Sequence, residues 1–160
     1  MKKLQIILLT IFISHATFIK GQSLNRTHFI NLGYDQIKPY SFFKIGYKVG
    51  FTEFKEFAHN FSAVTADFGL GKIGDKYIYA PSLTYNFYGA FYFVGLNSTY
   101  FFYDSKREFT IAPQIGLTYF NVINIGYSYI LSPFTSEKSI PFRNKCFIVS
   151  LSIPIDLLRK

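Results

Sequence analysis

From Phe109 to Tyr119 every odd position is apolar (Phe109, Ile111, Pro113, Ile115, Leu117, Tyr119), and the even positions between them are small or polar (Thr110, Ala112, Gln114, Gly116, Thr118). A helix would scatter the two sets around its axis, whereas a strand sends successive side chains to opposite faces. The stretch therefore predicts a strand with one oily side and one small, polar side.

The same alternation recurs along the chain. Ile30, Leu32 and Tyr34 oppose Asn31 and Gly33. Phe43, Ile45, Tyr47, Val49 and Phe51 oppose Lys44, Gly46, Lys48 and Gly50, and Val64, Ala66, Phe68 and Leu70 oppose Thr65, Asp67 and Gly69. Tyr79, Pro81, Leu83, Tyr85 and Phe87 oppose Ala80, Ser82, Thr84 and Asn86. Tyr92, Val94, Leu96 and Tyr100 oppose Gly95, Asn97 and Thr99, with Phe91 and Phe93 blurring the start. Ile123, Ile125, Tyr127 and Tyr129 oppose Asn124, Gly126 and Ser128, and Phe147, Val149, Leu151, Ile153 and Ile155 oppose Ser150, Ser152 and Asp156. Together with the first stretch these make eight strands.

The connections expected between them are Asp35 to Tyr40, Thr52 to Asn60, Gly71 to Lys76, Tyr88-Gly89, Asp104 to Arg107, Phe120 to Val122 and Ser132 to Asn144. Most carry Gly, Pro, Asn or Asp, which tolerate turn dihedrals. None is long enough for a crossover helix, so neighbouring strands should run antiparallel as an up-and-down meander.

Residues 1–21 read as a separate object. Lys2 and Lys3 precede the apolar run Leu4 to Ile13, which is too short to span a bilayer as a helix, and small residues follow at Ser14, Ala16 and Gly21. This is the form of a secretory signal peptide, with cleavage expected between about residues 16 and 22. The domain expected is thus 22–160, one barrel in an exported protein. Cys146 stands alone, so neither a disulfide framework nor a cysteine metal site is expected.

A closed eight-stranded meander has two opposite solutions. A soluble barrel points its apolar face inward and a charged face to water; a membrane barrel reverses both. Here 49% of the 160 residues are hydrophobic, 21% aromatic and 16% charged. The apolar faces carry no Lys, Arg, Asp or Glu in any strand body, and the opposite faces are too small and too sparsely charged for a solvated exterior. Aliphatic residues occupy strand middles (Leu83, Val94, Leu96, Ile115, Ile125, Leu151) and aromatics the ends (Tyr34, Tyr77, Tyr79, Tyr92, Phe102, Tyr119, Tyr129, Phe147), the layout of two interfacial girdles around a lipid-facing band. The fold class expected is an all-β, single antiparallel up-and-down eight-stranded transmembrane β-barrel. The alternative is a soluble exported barrel that binds an apolar ligand.

With its signal peptide, eight alternating strands and strand cores Leu32-Gly33-Tyr34, Ile45-Gly46-Tyr47, Ile115-Gly116-Leu117 and Ile125-Gly126-Tyr127, the chain resembles small outer-membrane β-barrel proteins, Bacteroidota-like and uncharacterised. The resemblance is architectural and covers nearly the whole mature chain. It implies location in a bacterial outer membrane, with short periplasmic turns at Tyr88-Gly89 and Phe120 to Val122 and the Ser132 to Asn144 loop outside. Two features depart from it: Thr52 to Asn60 is long for a periplasmic turn, and the chain ends Leu157-Leu158-Arg159-Lys160 where such barrels often end on an aromatic residue.

The charged interior candidates are Lys44, Lys48 and Asp67, expected to form a paired network because an unpaired ion in a low-dielectric lumen costs several kcal/mol. The expected role is structural or surface-interacting, with the lumen filled by side chains; an ion relay through these residues is the rival reading. A lipid-modifying barrel enzyme would need His, Ser and a carboxylate together. The mature chain holds only His28 and His59, and Ser62 and Glu56 near His59 match no nucleophile spacing, so no enzyme, metal or cofactor is expected. Gly69-Leu70-Gly71 lacks the following helix of a dinucleotide fingerprint. Three glycosylation sequons, at Asn25, Asn60 and Asn97, are read as chance.

Formal charge is +8, and +5 without Lys2, Lys3 and Lys20. The outer rim is expected to hold Lys38, Lys72, Lys76, Lys106, Arg107, Lys138 and Arg143 against Asp35, Asp75, Asp104 and Glu137. Such a rim would attract lipid phosphates, including those of lipopolysaccharide. With no basic stripe along one face, nucleic acid is not an expected partner. The barrel is expected to be a monomer.

Overall fold

The computed structural model describes residues 25–55, 58–73, 75–104, 106–131 and 144–156. All eight expected strands form: β1 (Asn25–Ile37), β2 (Tyr40–Lys55), β3 (Ala58–Ile73), β4 (Lys76–Tyr88), β5 (Tyr92–Tyr103), β6 (Lys106–Tyr119), β7 (Ile123–Tyr129) and β8 (Lys145–Pro154). Each pairs antiparallel with its sequence neighbour, and β1 pairs with β8 to close the barrel. Closure gives every strand a neighbour on both sides, so none is an edge strand.

Register gives the barrel its shape. Asn25 pairs with Thr52, and the path continues through Phe61, Tyr88, Phe93, Gly116, Gly126 and Ile148 to return to β1 at Asp35, ten residues further along. With standard strand rise and spacing, that stagger over eight strands corresponds to a tilt of about 40° and an interior only wide enough for side chains.

The β1–β2, β2–β3, β3–β4 and β5–β6 links are shorter than expected, the β6–β7 link is as expected, and the β4–β5 and β7–β8 links are slightly longer. Asp35 to Tyr40 contracts to the pair Lys38-Pro39, joined by a cis peptide bond. The predicted loop Thr52 to Asn60 is largely strand, with Lys55 paired to Ala58. Its apparent length came from weak alternation in the sequence, and the ladder hydrogen bonds extend through it regardless. Links β1–β2, β3–β4, β5–β6 and β7–β8 lie at one end of the barrel, here called upper; links β2–β3, β4–β5 and β6–β7 lie at the lower end.

The two faces divide as the alternation predicts. Outward residues are exposed, with Phe43 and Leu117 at 70% and Ile115 at 62%, whereas inward Lys48 is 1% and Ser152 0% exposed. Apolar side chains cover the outside and many polar ones fill the inside. This is the reverse of a water-soluble domain.

The inside nonetheless departs from expectation. It is not uniformly small and polar. Upper and lower apolar plugs bracket the polar residues: Ile37, Phe42, Ile78, Ala80, Phe101, Ala112, Ile130 and Cys146 above, and Phe29, Phe61, Ala63, Tyr88 and Phe93 below. Four of the interior glycines, Gly50, Gly71, Gly116 and Gly126, lie against these rings. A Cβ on Gly50 would run into the Phe61 ring, and one on Gly116 would meet the Ile125 carbonyl and the Phe93 ring, so neither position has room for a side chain.

Candidate functional site

Between the plugs, inward positions of all eight strands form a polar belt. Asn31 comes from β1, Lys44 and Lys48 from β2, Thr65 and Asp67 from β3, Thr84 and Asn86 from β4, Asn97 and Thr99 from β5, Gln114 from β6, Asn124 from β7, and Ser150 and Ser152 from β8. Each polar atom here lies away from bulk water and needs a partner within the barrel.

Lys44 Nζ lies 2.5 Å from Asp35 Oδ2, both side chains largely buried. Asp35, expected on the outer rim, lies inside the barrel. The structure instead continues β1 to Ile37, and the inward parity of Asn31 and Gly33 then carries Asp35 into the lumen. Glu108 is buried as well, on the inward set of β6 with Thr110. Both were legible by extending strand parity two residues beyond the clear alternation.

Lys48 and Asp67 are joined through intermediaries. Lys48 Nζ donates to Ser152 Oγ at 3.1 Å, Ser152 Oγ donates to Asn31 Oδ1 at 3.1 Å, and Asn31 Nδ2 donates to Asp67 Oδ1 at 2.8 Å. Lys48 Nζ also donates to the Asn121 carbonyl in the β6–β7 turn at 2.9 Å. Three rings surround the ammonium, with centroids at 4.6 Å (Tyr88), 5.2 Å (Phe29) and 5.6 Å (Phe61). These distances are in the range where a ring face attracts a cation. Gly46 makes room for Asp67, whose carboxylate would meet any Cβ there.

The opposite wall is a second network. Gln114 Nε2 donates to Asn86 Oδ1 and Asn97 Nδ2 to Thr84 Oγ1, each at 2.6 Å; Thr118 Oγ1 donates to Asn124 Oδ1 at 2.7 Å, and Asn124 Nδ2 to Ser150 Oγ at 3.0 Å. What remains open is a cavity of about 60 Å³. That accommodates a few waters at roughly 15 Å³ each, far below the roughly 300 Å³ or more of a small-molecule site.

On the upper rim, Lys72 lies 4.0 Å from Asp75 and Lys76 lies 2.8 Å from Asp104. Lys38 stands in the β1–β2 link, and Lys106 and Arg107 open β6. Lys138 and Arg143 lie outside the described residues, as does most of the Ser132 to Asn144 loop. Lys145 at the start of β8 joins this rim and was missed by the sequence reading.

His28 faces outward near the lower end, its Nδ1 2.5 Å from the Tyr47 hydroxyl; the side chain of His59 lies outside the described residues, as does Glu56. Among the described residues no three His, Cys, Asp or Glu side chains converge on a metal-sized point. No protein family, curated protein or solved structure matches the chain.

Proposed function

We propose that this chain is a small integral outer-membrane β-barrel protein, its lumen filled by side chains and not an open pore, with a structural or surface-interaction role. The observation that carries the reading is the inverted polarity. A band including Leu32, Ile45, Leu83, Leu96, Ile115 and Ile125 faces outward while Asn31, Lys48, Asn86, Asn97 and Asn124 face inward. In water that band would far exceed the few hundred Å² of contiguous apolar surface that a soluble monomer tolerates; in lipid it is the stable arrangement, because a closed barrel pairs each strand with a neighbour on either side. Outward charges on described side chains occur only near strand ends, at Arg26, Lys72, Arg107 and Lys145, where an interface would lie.

The upper end, with the 131–144 connection, then faces the exterior, and the short β2–β3, β4–β5 and β6–β7 links face the periplasm. The two plugs and the paired ions support a closed lumen over an ion relay. The small ionic cavity gives an apolar ligand no room, which weighs against the soluble alternative. The resemblance to small outer-membrane barrels rests on architecture.

The test is extraction and gel mobility. The expected protein sediments with the outer membrane, requires detergent, migrates differently when boiled, and gives no steady current in planar bilayers. A chain that stays monomeric in buffer without detergent overturns the membrane assignment; steady open-channel current overturns the plug.

A further inference from the structure

The rim is electrically asymmetric. On the β3–β5 side each lysine has a carboxylate: Lys72 has Asp75 and Lys76 has Asp104. On the β8–β1 side the opposite holds. The β1–β8 ladder ends at the pair Ile37–Cys146, and the residues flanking it, Lys38 and Lys145, are both exposed and border one outer cleft. Among the described residues neither has an ion-pair partner. Two like charges at the mouth of one cleft repel, and an anion between them would turn that repulsion into attraction.

Below these two ammonium groups lies a cleft of about 590 Å³ on the outer surface, lined by Gln36, Lys38, Tyr127, Tyr129, Asn144, Lys145 and Phe147. A second cleft of about 550 Å³ runs along the other side of β7, past Pro113, Ile115, Tyr127 and Tyr129, and Lys145 borders both. The second has a backbone cause. The β6–β7 ladder is regular up to Gln114–Ser128 and resumes only at the Ile111–Leu131 bridge. Between them stands Pro113, which has no N–H to donate. The wall therefore carries a shallow trough of aromatic and aliphatic side chains with a pair of cations at its upper mouth and no carboxylate in its lining.

We propose that this trough is a binding site for a phosphate-bearing lipid, its headgroup phosphate bridging Lys38 and Lys145 and its acyl chain lying along β7 over Tyr127, Tyr129 and Ile115. The inference rests on the membrane reading and deepens it, since only a barrel in a bilayer presents this surface to lipid. The amphipathic layout selects the class: an ammonium pair fits a phosphate, while the apolar trough beneath gives a free phosphate nothing to contact. Asn144, which donates to the Tyr129 hydroxyl at 3.2 Å, holds that ring at the mouth of the trough.

The experiment uses the full mature chain in zwitterionic detergent at low ionic strength, where such attractions are least screened. Binding of bisphosphorylated lipid A is compared with that of its enzymatically dephosphorylated form and of inorganic phosphate, by native mass spectrometry and by thermal shift. The double variant K38Q/K145Q is expected to lose roughly thirtyfold in affinity for lipid A. K72Q/K76Q, with the same loss of formal charge, should change it by less than about threefold. Wild-type binding to lipid A but not to phosphate or to the dephosphorylated lipid supports the site. Equal losses in the two double variants overturn it in favour of general rim charge. Equal binding of phosphate overturns the lipid assignment. Binding that emerges only when residues 132–143 are replaced by a short turn overturns it too, by showing that this segment occupies the trough. Boiling-dependent gel mobility, read on every variant, separates failure of this site from failure of the membrane reading.

Discussion

Lys44 and Lys48 sit four residues apart on the inward face of β2, and the barrel holds their charges by different means. Lys44, toward the upper plug, has a carboxylate at contact distance, Asp35 on the neighbouring strand. Lys48, at the lower plug, has ring faces, a hydroxyl and a turn carbonyl. The plugs differ in make-up. The upper one combines Ile37, Ile78, Ile130, Ala80 and Ala112 with the Phe42 and Phe101 rings, 5.5 Å apart, and the charge beside it is met by a carboxylate. The lower one is aromatic: Phe61 stands edge-on to Phe29 at 6.3 Å and 5.3 Å from Tyr88, and the same rings that exclude water present their negative faces to Lys48. Through Asn121, Lys48 also ties the β6–β7 turn to the lumen, a tether with no counterpart at Lys44.

The comparison breaks first at Phe61. F61A should lower the unfolding free energy by about 4 kcal/mol, because it leaves a void in the lower plug and removes one wall around Lys48. Urea titration of the folded and unfolded gel bands in lipid vesicles reads this directly; a loss under about 1.5 kcal/mol would show that the lower plug does not hold that end. Next is the carboxylate. D35N leaves Lys44 buried without its anion and should cost about 3 kcal/mol, whereas D35L/K44M, which removes both charges, should fall within about 1 kcal/mol of the wild type. Equal losses in the single and double variants would mean that shape, not charge, matters at the upper site.

K48M should cost less, about 1–2 kcal/mol, since it forfeits the ring contacts and leaves the Asn121 carbonyl without its donor, while the carboxylate it serves, Asp67, is reached only through Ser152 and Asn31. Amide exchange in the 120–122 turn should rise in K48M and not in D35L/K44M, which sharpens the distinction between a tether and a plain ion pair. The smallest effect concerns that turn's backbone. Phe120 adopts φ 49° and Asn121 φ 59°, with Val122 N donating to the Tyr119 carbonyl at 3.0 Å. Asn tolerates this left-handed region, whereas a bulky Phe is strained there. F120G should therefore stabilise by about 1 kcal/mol by the same titration; destabilisation would show that the exposed ring, stacked edge-on against Tyr119, makes contacts worth more than the strain.

Strand number, strand order and the sidedness of nearly every residue were determined by the sequence alone, because period-two alternation is a local property and consecutive short links leave an up-and-down path as the simple topology. Parity also held the positions of Asp35, Glu108, Phe42, Phe61 and Phe93, though their neighbours' weaker alternation hid them at strand ends. Tertiary structure decided what parity cannot express. Asp35 meets Lys44 through the register of the β1–β2 hairpin, whereas the placing of Asn31 and Ser152 between Lys48 and Asp67, and of Lys38 and Lys145 at one cleft, depends on the ten-residue stagger around the closed barrel. The stagger is a sum of registers over eight strand pairs, closed only when β8 finds β1, and no single stretch of sequence contains it.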